Sequence, residues 1–68
     1  MYYSRTSYHD DTPADVEHHD TQTEAAEAYQ HATEQRDQLG RAFGDVYRIS
    51  WGRIKAGKMQ AINATTYS

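Results

Sequence analysis

Residues 21–40 read TQTEAAEAYQHATEQRDQLG, and this stretch decides the fold. Thr21-Gln22-Thr23-Glu24 is a capping-box pattern, with a hydroxyl at the cap and a carboxylate three residues on. Residues 22–39 are dense in Ala, Glu and Gln and contain neither Gly nor Pro, so local preference is helical throughout. Ala25, Ala28, Tyr29, Ala32 and Leu39 recur at helical spacing and form the expected inner face. Gly40 supplies the stop. The spacing predicts one helix over 22–39, capped by Thr21 or Thr23. Its Ala-lined side is thin enough to lie close to a sheet.

The flanks supply the strands. Residues 2–9 are rich in Tyr, Ser and Thr and are expected to be extended. Tyr2, Ser4, Thr6 and Tyr8 share one face, and Tyr3, Arg5, Ser7 and His9 the other. Asp10-Asp11-Thr12-Pro13 is a turn signal, because Pro13 disfavours helix in the residue before it. Residues 14–20 fit a short strand, an Asp-rich loop, or both. After Gly40–Gly44, residues 45–51 alternate, which predicts a strand with Tyr47, Ile49 and Trp51 toward the helix. Gly52 permits a bulge or bend. Ala56-Gly57-Lys58 reads as a hairpin turn, and 59–66 as the final strand. The expected fold class is α+β: one helix packed on a small antiparallel sheet of three to four strands, as a single small domain over 1–68.

Composition sets the scale of the core. Val16, Leu39, Phe43, Val46, Ile49, Ile54 and Ile62 are the large aliphatic residues and the phenylalanine, seven of 68. That is below the roughly 20% at which disorder becomes a concern. Trp51 and six tyrosines offset the deficit, since each can bury a large ring. The expectation is a thin, Tyr-rich core that dimerisation or a partner completes. There is no cysteine, hence no disulfide and no thiol nucleophile. The first residues lack a signal-peptide pattern and no run is long enough to span a membrane, so a soluble intracellular protein is expected.

Charge is split along the chain. Residues 1–34 carry eight acids against Arg5 alone, a net −7. Residues 35–68 carry six bases against Asp37 and Asp45, a net +4. Separated fields of this kind steer encounter and select partners, which favours a binding protein over an enzyme. The helix stripe Glu27, His31, Glu34 and Gln38 is one candidate partner-binding surface, against the plainer reading of a solvated face. Arg48, Arg53, Lys55 and Lys58 on and around the last hairpin are the other, and could contact phosphate with Tyr47 and Trp51 nearby. If Trp51 is core, it cannot stack on a base. His9-Asp10-Asp11 and His18-His19-Asp20 would suit zinc or nickel if brought together. Neighbours in a strand point to opposite faces, however, and no spacing matches a structural zinc motif, so solvated side chains are the favoured reading and no metal or cofactor is expected. No Ser or Thr stands in a nucleophile setting, and no carboxylate pair sits where its pKa would rise, so no catalytic residue is assigned.

Two short motifs carry a family resemblance. Thr21-Gln22-Thr23-Glu24-Ala25-Ala26 opens the helix, and Gly44-Asp45-Val46-Tyr47-Arg48-Ile49 follows about one helix later. Together they resemble a small phage-encoded anti-CRISPR family of similar length, whose members inhibit the type I-F (Csy) surveillance complex. The resemblance covers residues 21–49. It implies a protein–protein inhibitor that acts in the cytoplasm of an infected bacterial host, docks on Cas7-type backbone subunits of a type I CRISPR effector and blocks target-DNA hybridisation. At least one such family also promotes non-specific DNA association. The relatives carry Lys and Arg in mid-helix where this chain has Ala32 and Thr33, a departure that removes the basis for a DNA-recruiting helix. Two other readings stand beside it: a small nucleic-acid-binding accessory protein using the basic hairpin, and a self-associating structural protein, for which a homodimer completes the core.

Overall fold

A computed structural model describes residues 1–67. The helix α1 spans Gln22–Leu39, as its sequence requires. Thr21 caps it from an extended backbone, φ −122° and ψ 154°, and its Oγ1 accepts the Glu24 amide at 3.2 Å. The reciprocal arm of the capping box differs from the expected form. Glu24 Oε1 accepts the Thr21 hydroxyl at 3.1 Å rather than the cap's backbone amide. At the far end Gly40 takes φ 56° and donates its N–H to the Arg36 carbonyl, and a single 3-10 turn, Gly40–Phe43, leads away.

Four strands form one antiparallel sheet: β1 Tyr2–Tyr8, β2 Asp15–His19, β3 Val46–Lys55 and β4 Lys58–Thr66. Their order is β2-β1-β3-β4. The segment that the sequence left open between strand and loop is therefore a short edge strand. Since β1 is antiparallel to both neighbours, β2 and β3 run parallel with β1 between them. Such a pair needs a long crossover, and α1 is that connection.

The register shows which face the helix covers. The Tyr29 hydroxyl of α1 bonds the Thr65 hydroxyl of β4, and Thr65 lies opposite Ile49, which lies opposite Thr6. Side chains directly opposite share a face. Ser4, Thr6, Ile49 and Trp51 thus belong to the helix side. Ile49 is 1% exposed and Trp51 8%, the burial that their period-two spacing predicts. Ala25 is the fully buried residue of the helix, while Ala28, Tyr29 and Ala32 are half-buried. The core is small, with Tyr3, Ala25, Val46, Ile49 and Trp51 as its buried apolar members.

Two irregularities correct the simple alternation. Ser7 pairs with Arg48 but Tyr8 pairs with Val46, so Tyr47 has no partner on β1. The extra residue shifts the phase, and Val46 rather than Tyr47 turns inward. Val46 is 1% exposed and Tyr47 45%, with its ring edge-on to His9 at 5.2 Å. The second lies where Gly52 foretold it, but the added residue is on the opposite strand. Trp51 pairs with Asn63 and Gly52 with Ala61, leaving Ile62 as the insertion. A Cβ on residue 52 would collide with the Gln60 carbonyl, because the β4 backbone occupies that space.

Leu39 also departs from expectation, being 53% exposed. The helix meets the end of the sheet at Arg36, whose guanidinium lies 4.7 Å from the centre of the Tyr67 ring. Leu39 comes a turn later, beyond that contact. The hairpin closes with Ala56 at φ 53° and Gly57 at φ 75°, the mirror-image two-residue loop whose twist suits paired strands.

Candidate interaction surfaces

Glu27, His31, Glu34 and Gln38 are all exposed. Their spacing of four, three and four residues puts them on one stripe, roughly opposite the Ala25 side of the helix. The structure therefore brings this set together. Glu24 and Asp37 flank it and are exposed as well. The helix has one base, Arg36, and it is turned onto Tyr67 instead. The outer side of α1 is thus acidic, with His31 and no Lys or Arg on it.

The basic set is not one surface. Arg48 lies opposite Ser7 and Thr66, whereas Arg53 lies opposite Tyr2 and Gln60. Five residues separate them on one strand, an odd interval, so they leave the sheet on opposite faces. Lys55 and Lys58 face each other at the hairpin tip. All four are exposed, but Arg48 is apart from the tip group of Arg53, Lys55 and Lys58. Sequence reasoning missed Arg5, which lies opposite Ser50 and next to the Ser7–Arg48 pair on Arg48's face. The signal was present in the period of residues 2–9, but only the register of β1 on β3 joins Arg5 to Arg48.

The histidines divide as strand geometry demands. His19 Nε2 is 2.9 Å from Ser4 Oγ on the helix side, while His18 lies opposite Tyr3 on the other. Among the described residues, no group of three or more His, Asp or Glu is placed to hold a metal ion. The Tyr8 hydroxyl donates to Asp15 Oδ2 at 2.7 Å, and that bond, aided by partial burial, pushes the phenol up to about 12. Asp10 Oδ1 accepts the Thr12 amide at 2.9 Å, and hydrogen bonding from Thr12 holds its carboxyl below the usual range. Both contacts brace the loop between β1 and β2. No cleft is found among the described residues, and no helix among them is long and apolar enough to cross a membrane.

The β4 edge is guarded. The Tyr67 amide donates to the Tyr47 carbonyl, so the alternating Asn63 and Thr65 face β3, while Ala64 and Thr66 face outward. The outward Ala64 amide is occupied by Asn63 Oδ1 at 2.9 Å. Insertion of Ile62 shifts the phase, so Met59 and Ala61 are the outward residues before it. A regular added strand has period two and cannot match both segments.

Comparison with protein-family models, with curated proteins and with solved structures finds no match to this chain.

Proposed function

We propose that this chain is a phage anti-CRISPR inhibitor that binds the Cas7 backbone of a type I CRISPR surveillance complex and blocks target-DNA hybridisation. It acts as a binder, without catalysis, in the cytoplasm of the infected host. The observation that carries the reading is the acidic outer side of α1. Glu27 and Glu34 stand exposed on a stripe with no Lys or Arg of its own, a surface complementary to the Lys- and Arg-lined channel that must receive a nucleic-acid strand. The resemblance over residues 21–49 supports the same reading. Opposed fields speed encounter and select the partner, while a few buried aromatic or Arg anchors hold the complex.

The test is binding to a purified type I-F complex, with target-DNA capture measured in parallel. Binding that weakens with salt, loss of DNA capture, and a larger loss for Glu27→Lys/Glu34→Lys than for alanine at either site are expected. Absence of binding to any type I complex, together with tight salt-sensitive binding to bare DNA, would replace this reading by the accessory-protein one.

A further inference from the structure

The strand residues on the sheet face away from α1 include cations and no acid. The face is formed by Val16 and His18 of β2, the alternate residues from Tyr3 to Ser7 of β1, those from Arg48 to Ile54 of β3, and their partners on β4. Arg5, His18 and Arg48 are exposed there. No carboxylate is among the strand residues of this face, in a protein of net charge −3; Asp45, whose carbonyl accepts the His9 amide one step past the Tyr8–Val46 pair, borders it. Asp15 and Glu17, the acids of β2, alternate onto the helix side with His19. Val16 is 37% exposed and Met59 43%, while Tyr3 and Ser50 are buried between them. We infer that this face, with Arg5 and Arg48 as its anchors, docks a protein surface that presents carboxylates beside apolar side chains. The inference deepens the proposed function and rests on its premise that the chain is a binding protein.

The composition selects that occupant. Protein interfaces are enriched in Arg and Met at their centre and depleted in Lys, Glu and Asp. This face holds two arginines and an exposed methionine, and it has no lysine. Single-stranded nucleic acid requires aromatic platforms as well as cations. Here Tyr3 is 3% exposed and Trp51 is buried on the other side of the sheet, so the exposed ring beside Arg48 is that of Tyr47, packed edge-on with His9, and a single ring makes no run of stacking platforms. A second copy of the chain set face to face by a two-fold axis would bring four guanidiniums into one interface with no carboxylate from the strands of this face, an arrangement that desolvation penalises. The guarded β4 edge removes the other simple route to self-pairing.

Residue-resolved NMR on the labelled chain tests the inference with two probes. One is a synthetic peptide of Asp and Glu interspersed with Leu and Phe, and the other is a short thymidine oligonucleotide. The peptide is expected to shift Arg5, Val16, His18, Arg48 and Met59. Arg5→Glu/Arg48→Glu should weaken it by about tenfold or more, equivalent to about 1.4 kcal/mol, and Glu27→Lys/Glu34→Lys should not weaken it. Both pairs are exposed, and melting curves confirm that each variant folds. Shifts on α1 instead, binding of the oligonucleotide in place of the peptide, or no shift with either probe overturns the inference. The same variants on the type I complex separate the two conclusions. A complex that binds wild type and Arg5→Glu/Arg48→Glu equally overturns the docking face and leaves the proposed function standing. A complex that binds neither overturns the function, while the peptide still decides the face.

Discussion

Replacing Gly52 by Ala should be the most damaging methyl group added to this chain. Its Cβ would sit 2.8 Å from Ala61 Cα and closer still to the Gln60 carbonyl oxygen. Neither neighbour is a side chain that can rotate away, so β4 itself has to move. Forcing an extra carbon into filled space costs about 1–3 kcal/mol. Moving β4 also loosens one or two of the ladder bonds beside the insertion, at about 1 kcal/mol each. The expected loss is about 2–5 kcal/mol, against a total of about 3–10 kcal/mol for a chain this size. At about 4–8 °C per kcal/mol, the melting point should fall by roughly 8–40 °C. Gly57→Ala is the matched control. Gly57 has φ 75° with nothing within 4 Å of an added Cβ, so Ala there pays only the left-handed backbone strain of about 1–2 kcal/mol. Gly52 is not among the positive-φ glycines, so its sensitivity is a matter of space alone. Thermal unfolding followed by circular dichroism distinguishes them. A Gly52→Ala protein that melts within about 3 °C of wild type, or above Gly57→Ala, refutes the packing described at Ile62.

Thr21→Ala removes the cap that accepts the Glu24 amide and should cost about 1 kcal/mol, read as a melting-point drop of several degrees, with Thr23→Ala near neutral. Val46→Ala should destabilise by about 1–2 kcal/mol and Tyr47→Ala by less, the reverse of what uninterrupted alternation would give; chemical denaturation of both variants measures it. Tyr8 is held in its neutral form, with a folded pKa of about 12 against 10.0, so its contribution to stability is complete below pH 10 and disappears as pH rises from 10 toward 12; Tyr8→Phe should flatten that part of the stability profile. Asn63→Ala frees the outward Ala64 amide and should raise concentration-dependent association above that of wild type in light scattering.

The helix was legible because its signals are local. A capping hydroxyl, an unbroken run of helix formers and a terminal glycine each act within a turn or two, and the observed bounds match them. The burial of Ile49 and Trp51 followed from a period that any sheet imposes. What escaped was register. Nothing local to Asp45–Ile49 says that Tyr47 will be skipped by β1, because the skip is a relation between two strands far apart in sequence. The same is true of Ile62, where only the glycine on the opposite strand hinted at an irregularity. Charge was misread for a related reason. Arg48, Arg53, Lys55 and Lys58 are neighbours in sequence, but alternation divides them, and Arg5 joins Arg48 only through pairing across strands.

That rearrangement changes what the charge asymmetry means. The chain folds by setting its halves side by side in one sheet: β2 and β1 come from the acidic half, β3 and β4 from the basic half, and they join at β1 and β3. A charge split along the sequence need not survive such a fold. Here the acids of the first half are divided among the loops, the helix side of β2 and the outer side of α1, and its one base, Arg5, lands beside Arg48 on the far face of the sheet. The acidic stripe of α1 and the Arg5–Arg48 face consequently point in opposite directions. No flat partner can touch both at once. If both are used, the chain must sit between two surfaces of opposite sign, with the helix toward a cationic wall and the sheet toward carboxylates. Charge reversals on the two sides should then add in their effect on affinity, because the groups lie in separate interfaces. A strongly non-additive pair would mean that one contact forms only after the other, as in stepwise insertion into a closing channel.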